Sequence, residues 1–443
     1  MTTFNSKEVI FLFVITLSGV LYSVIAQLPL VFGFIPGLFV LLVLCRKKRV
    51  PLKTLFDISM RGVAKTRIVV LILFFVSFLL PSWHLSGTLD QMVAVTLRLL
   101  DPDHFFILAF LAASVFSMIL GTSVGTLSAI GVPIMSTALL LGLPADVTAG
   151  ALISGAFVGD RTSPFSSAHQ LLSHTVEINI KRQQKAMIAT TLPAIIIGCL
   201  FYAIFDHFME INGKTLFMNS YGKIILIQFI PPLLLVAFVL ARVKIVYAFM
   251  ASIASAGAIA IYKGLSFSGL IHGFWYGIDG TGGGLAHMYH LLLFIILAGA
   301  YNGVLEELNI IQPYLDKWLQ SSHSLIDDSI KIIISTLFIS FIAANQTLPI
   351  ILTGRSFLAH WSKHYKREDL ARVMGDTTLL FPGMIPWSIL AIMCSTILNI
   401  KLFSYLPFAV FLWILPLLTV FLSILRSKKY HKIDAPFESN GRM

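Results

Sequence analysis

A chain of 443 residues that is 57% hydrophobic and only 12% charged, with a mean hydropathy of +0.87, lies outside the soluble range of about half apolar and about a quarter charged. Those values exclude an ordinary water-soluble domain and leave lipid as the solvent, in which only helices or a closed barrel satisfy the backbone. The net charge of +11 raises the question of a nucleic-acid partner, but the Lys and Arg residues stand in connections beside apolar runs, where they suit a membrane's anionic headgroups, and no nucleic-acid partner is expected.

Long apolar runs, rather than ten-residue alternation, predict helices. In chain order the runs cover 9–26, 28–45, 68–85, 104–120, 127–142, 147–158, 186–205, 222–241, 244–262, 287–305, 329–344, 384–400 and 402–425. The expectation is an all-α polytopic membrane protein with about 10–14 transmembrane segments. The first run follows Lys7 and resembles a signal peptide, but a second begins at Leu28, so the first is read as a retained span. Arg46, Lys47, Lys48, Arg49, Lys53, Arg61, Lys65 and Arg67 fill one connection, and Lys181, Arg182 and Lys185 cluster in another. Both belong inside by the positive-inside rule, whereas 206–220, with Asp206 and Glu210, reads as outside. Arg355, Lys363, Lys366, Arg367 and Arg372 fill a later connection, and Arg426, Lys428, Lys429 and Lys432 begin a basic tail. Both termini are then cytoplasmic. Cys45, Cys199 and Cys394 lie in or beside apolar runs and imply no disulfide framework.

From Gly222 the pattern restarts with two spans, an amphipathic stretch over 265–277, a span and polar interruptions. Gly87-Thr88-Leu89-Asp90 matches Gly303-Val304-Leu305-Glu306, and Gly159-Asp160 matches Gly375-Asp376, each pair 216 residues apart. A first half that starts inside and ends outside holds an odd number of spans, so the second half is expected to be inverted. The resulting division is a first repeat over 1–206, an external linker over 207–221, an inverted repeat over 222–425 and a cytoplasmic tail over 426–443. Runs that stop at Gly121, at Gly159 and near Ala344 and then resume predict broken or re-entrant helices, which line cavities in secondary transporters.

Intramembrane ionisable and amide groups are the first candidates for chemistry, because each is costly in hydrocarbon without a partner or a wet cavity. At the first break, Gly121-Thr122-Ser123-Val124-Gly125-Thr126 offers freed carbonyls and the Thr122 and Ser123 hydroxyls as hard oxygen ligands for a cation. Close helix packing through small residues is the plainer alternative. The same residues spell G-x-S-x-G, but a nucleophile elbow needs a preceding strand, so no enzyme is expected. At the second break Asp160 precedes Pro164, with Ser163, Ser166 and His169 nearby. A proton and a cation would compete for such a carboxylate, which suffices for exchange; an Asp160–Arg161 pair that only pins helices is the alternative. His169 offers a proton shuttle near neutral pH. In the second half, Asn345, Gln346 and Thr347 interrupt an apolar run and offer neutral oxygen ligands, while Asp376 precedes Pro382 and Pro386. The N-x-T sequon at Asn345 sits at membrane depth, which argues against glycosylation. Glu306 and Glu307 end a span; one faces water, and Glu306 is favoured as inward because it matches Asp90. Gly280 to Gly284 imitates a phosphate cradle without the strand or the lysine of a P-loop and reads as a flexible lead into a helix.

The stretches GTSVGTLSAIG (121–131), GAFVGDRTSPFSS (155–167), GGGLAH with NGVLEELNI (282–310), ANQTLPIILTGRSF (344–357), LARVMGD (370–376) and the Pro386-Trp387 pair are together similar to the NhaC-type sodium/proton antiporters of the ion transporter superfamily. The resemblance covers most of the chain. It implies exchange of a cation for protons, Na+ and H+ being transported ions rather than cofactors, and includes relatives that move malate and lactate. Three positions depart from it: Ser167 stands where an aspartate is usual, Asn345 replaces an aspartate, and Gly375-Asp376 replaces a Glu-Asp pair. Asp160, Asp376 and Glu306 remain at matching positions.

Two readings follow. The first is a sodium/proton antiporter of the cell membrane, with Asp160 as the shared carboxylate, Thr122, Ser123, Ser163, Ser166, Asn345, Gln346 and Thr347 as neutral ligands, and lipid and a second copy as possible partners. The second is coupled transport of a small organic anion or amino acid, whose carboxylate Arg161 or Arg355 can clamp.

Overall fold

The computed structural model describes residues 4–209, 224–278, 283–314, 324–343 and 345–430. Most of the expected linker, part of the Gly280 to Gly284 stretch and the tail beyond 430 lie outside the described residues. The fold is helical, with no strand among the described residues.

A hairpin of α1 (Ser6–Ile25) and α2 (Leu30–Lys47) leads into α3 (Leu52–Ser86), then α4 (Thr88–Leu99) and α5 (Phe105–Leu120). After a break come α6 (Ser123–Thr126), a π-helical turn over Leu127–Gly131 and α7 (Val132–Leu140), followed by α8 (Ala145–Thr162), α9 (Ser167–Val176) and α10 (Ile180–Phe208). The second half opens with another hairpin, α11 (Ile230–Leu240) and α12 (Ile245–Tyr262), and continues through α13 (Phe267–Tyr276), α14 (Leu285–Glu307), α15 (Leu325–Ala343), α16 (Thr347–His364), α17 (Arg367–Gly375), α18 (Phe381–Met384), α19 (Ile389–Ile397) and α20 (Val410–Tyr430).

Nine helices among the described residues are long and apolar enough to cross a membrane: α1, α2, α3, α5 with its lead from Pro102, α6 continued through α7, α10, α12, α14 and α20. The chain is a multi-pass membrane protein. Its innermost helix is α8, where every residue from Val147 to Thr162 is buried. Small residues put it there. A Cβ on Gly159 would stand 2.0 Å from the Ser117 carbonyl, and one on Gly155 would stand 2.4 Å from the Phe110 oxygen, so α5 and α8 approach backbone to backbone. The Ser117 hydroxyl seals this contact, donating to the Gly155 oxygen at 2.8 Å and accepting from the Gly159 N–H at 2.9 Å.

Some element starts are evenly offset along the chain, although the elements they open differ in length. Leu30 and Leu52 open α2 and α3, and Ile245 and Phe267, each 215 residues on, open α12 and α13; Ala145 and Ser167 open α8 and α9, and Arg367 and Ile389, each 222 residues on, open α17 and α19. The two Gly-Asp pairs therefore fall at different places in their elements. Asp160 lies inside α8, whereas Asp376 caps α17.

Candidate functional site

The first break forms because Gly121 ends α5 at φ +70° and Thr122 is extended at φ −151°, two conformations that stop one helix and let the next begin. The second forms because Pro164 has no N–H to continue α8; Ser163 turns extended, and Ser166 caps α9 by accepting the His169 N–H at 3.2 Å. The two breaks touch, since a Cβ on Gly121 would stand 2.7 Å from Phe165.

Asp160 lies between them and is 7% exposed. Its Oδ2 accepts from the Ser123 hydroxyl at 3.1 Å and its Oδ1 from the Ser166 hydroxyl at 3.3 Å. The Ser166 hydroxyl also reaches the Asp160 carbonyl at 2.6 Å, and Gln346, whose amide donates to the Leu379 carbonyl at 2.8 Å, lines the same cavity from the second half of the chain. The carboxylate opens on a cavity of about 1070 Å³ whose wall includes Gly121, Thr122, Ser123, Phe165, Ser167 and Gln346. The same wall carries Arg67, Arg242 and Lys244, and the Arg242 guanidinium stacks over the Phe165 ring at 4.4 Å.

The structure thus gathers Thr122, Ser123, Asp160, Ser166 and Gln346 at one place. It does not bring the other sequence candidates there. Ser163 donates to the Met118 carbonyl at 2.8 Å and fastens the break to α5. Asn345 turns its Oδ1 to the Leu348 N–H at 2.9 Å and its amide to the Ala343 carbonyl at 3.0 Å, which makes it a helix cap, and Thr347 is exposed as the first residue of α16. Asp376 is fully buried as the counter-ion of Arg161, with Thr190 donating to its Oδ1 at 3.1 Å, Thr419 bonded to Oδ2 and Arg372 at 3.9 Å. Glu306, expected inward, pairs with Lys65 at 2.8 Å beside a two-bond Arg61–Glu307 pair, and both glutamates are about equally accessible at the end of α14. His169 is buried with Nδ1 2.6 Å from the Arg161 carbonyl. Nδ1 also stands 3.0 Å from the Gln183 amide nitrogen, and the bonded route from His169 to Asp160 passes through its own backbone N–H and Ser166.

Sequence reasoning missed Arg67, Arg242, Lys244 and Phe165 as parts of this wall. The two basic residues Arg242 and Lys244 signalled only a short connection on one side of the membrane, and nothing local to them indicates that the hairpin tip folds onto the first-half break.

Among the described residues no group of three or more His, Cys, Asp or Glu side chains is placed to hold a metal ion. What the site offers is one carboxylate with neutral oxygens around it. Such a set takes up a proton or a hard cation in turn, because hydroxyl and amide groups can reorient from donating to the carboxylate to coordinating with their oxygens.

A bundle of apolar helices, broken at two touching points around a buried carboxylate in a large cavity, defines a membrane transport protein. Residues 210–426 match the family model described as the Na+/H+ antiporter family. Relatives extend over nearly the whole length. The Na+/H+ antiporter NhaC of Bacillus subtilis is 26% identical over 385 residues, covering 81% of this chain and 84% of that protein. The malate-2H+/Na+-lactate antiporter of the same organism is 26% identical over 414 residues, 87% of each chain. The arginine/ornithine antiporter ArcD of Halobacterium salinarum is 23% identical over 398 residues, 84% of this chain and 81% of that one.

Proposed function

We propose that this protein exchanges sodium for protons across the cell membrane by alternating access of two inverted repeats, with both termini in the cytoplasm. The observation that carries the reading is the Asp160 carboxylate, held by the Ser123 and Ser166 hydroxyls and open to the cavity at the helix breaks. Asp160 binds a proton on one side of the membrane and releases it in favour of Na+ on the other. Ser123, Ser166, Thr122 and Gln346 supply neutral oxygens to the ion, which replace part of its hydration shell. The family and the NhaC relatives support sodium and protons as the exchanged pair.

The test uses purified protein in liposomes with an acid interior and a pH dye. Added Na+ or Li+ is expected to alkalinise the lumen promptly, and Asp160→Asn to abolish the response. Undiminished exchange in Asp160→Asn removes Asp160 from the mechanism.

A second reading, coupled movement of a small carboxylate, is favoured by one observation. Apart from Asp160, the charged residues of the cavity wall among the described residues are Arg67, Arg242 and Lys244, all basic. The malate/lactate relative is compatible with it. In the same liposomes, a dye response to an added carboxylate and to no alkali cation selects this reading over the first.

A further inference from the structure

Away from the cavity, the Arg161–Asp376–Arg372 trio sets two guanidinium groups against one carboxylate, and all three side chains are fully buried. Arginine does not neutralise itself by losing a proton, so a buried excess of guanidinium needs acceptors. Arg161 uses both terminal nitrogens, on Thr191, Thr190 and Asp376. Arg372 does not. Its Nη1 donates to the Thr419 hydroxyl at 3.3 Å and lies 3.9 Å from Asp376, whereas Nε and Nη2 have no hydrogen-bond partner among the described residues. Those two nitrogens form the side edge of the guanidinium, where parallel N–H groups match the two oxygens of a carboxylate. The unpartnered atoms are therefore one complete bidentate edge. One turn before Arg372, Asp369 is committed to Arg426 on α20.

We propose that the Arg372 Nε–Nη2 edge is a buried binding site for a small planar oxyanion of the carboxylate class, separate from the Asp160 cavity. The anion completes the charge balance of the trio and locks α17 to α8 and α20. The edge geometry selects two fixed oxygens over a spherical halide.

The experiment is equilibrium dialysis of labelled formate against the purified full chain in detergent, at constant pH and ionic strength, with thermal unfolding read in parallel. One formate per chain is expected, displaced by acetate and not by equal chloride, with a saturable rise in Tm. Arg372→Lys keeps the charge but removes the fork and is expected to weaken formate binding by roughly tenfold or more. Asp160→Asn and Arg242→Ala, which alter the cavity, leave it unchanged. Should Arg372→Lys fail to fold, the wild-type stoichiometry and the two cavity variants still decide. Absence of bound formate, equal displacement by chloride, or loss of binding in either cavity variant overturns the proposal; a loss of transport in Asp160→Asn with formate binding intact separates its fate from that of the antiport reading.

Discussion

Asp160 is served by neutral groups, and the three positions at which the chain departs from the antiporter pattern are not equivalent around it. Ser167 lies on the wall of the Asp160 cavity. Asn345 has turned away to cap α16. Gly375 has Met187 packed where a side chain would go, its Cε 2.0 Å from an ideal Cβ. Only the first departure removes a carboxylate from the cavity itself. Ser167→Asp should restore one, and at the first residue of α9 an acidic side chain also suits the helix dipole. The expected outcome is a several-fold lower half-saturating Na+ concentration in the liposome assay; an unchanged or higher value would show that the cavity does not bind cations. Asp376 behaves differently. Asp376→Asn leaves Arg161 and Arg372 buried without a carboxylate, a change that costs about 3–5 kcal/mol, and is expected to lower Tm sharply where Asp160→Asn does not. A wild-type Tm in Asp376→Asn would mean that the trio carries no strain of charge.

At the scale of elements, the site depends on how closely α5 and α8 approach. Gly159→Val places methyl groups into the Ser117 backbone, and overpacking of this kind costs about 1–3 kcal/mol where neighbours can yield. Because Asp160 is the next residue, transport is expected to fall with stability. Gly257→Ala on α12 is the matched control, since its Cβ would meet the Leu270 side chain at an ordinary 3.4 Å. Equal Tm values for the two variants would contradict the close α5–α8 contact.

The breaks around Asp160 were legible in the sequence because their causes are local: Gly121 permits a left-handed turn, and Pro164 has no N–H with which to continue the ladder of α8. The run lengths and hydropathy likewise define an all-helical membrane protein without tertiary information. Partners were not legible. Whether Asp376 faces an ion or Arg161, and whether Glu306 faces inward or Lys65, depends on contacts between residues more than 200 positions apart. The Gly-Asp match illustrates the same limit, because identical dipeptides stand inside one helix and at the end of another.

At the scale of the whole molecule, the site is assembled from both halves: Asp160 and the two breaks come from one, Gln346 and the α11–α12 hairpin tip from the other. Arg242 holds that tip in a left-handed conformation at φ +59° while stacking on Phe165, so the halves meet through a charged residue on the cavity wall.

That placement of charge has a kinetic consequence. Among the described residues, three fixed positive groups against one carboxylate give the cavity a field that opposes an approaching cation and draws an anion inward, and mobile salt weakens such a field within about 10 Å at 0.1 M ionic strength. Raising an inert salt on the cavity side should therefore speed cation capture and slow carboxylate capture. Initial rates at low substrate, measured against ionic strength, would give slopes of opposite sign for the two substrate classes, so the protein's ambient salt sets how fast it fills as well as which ion it admits.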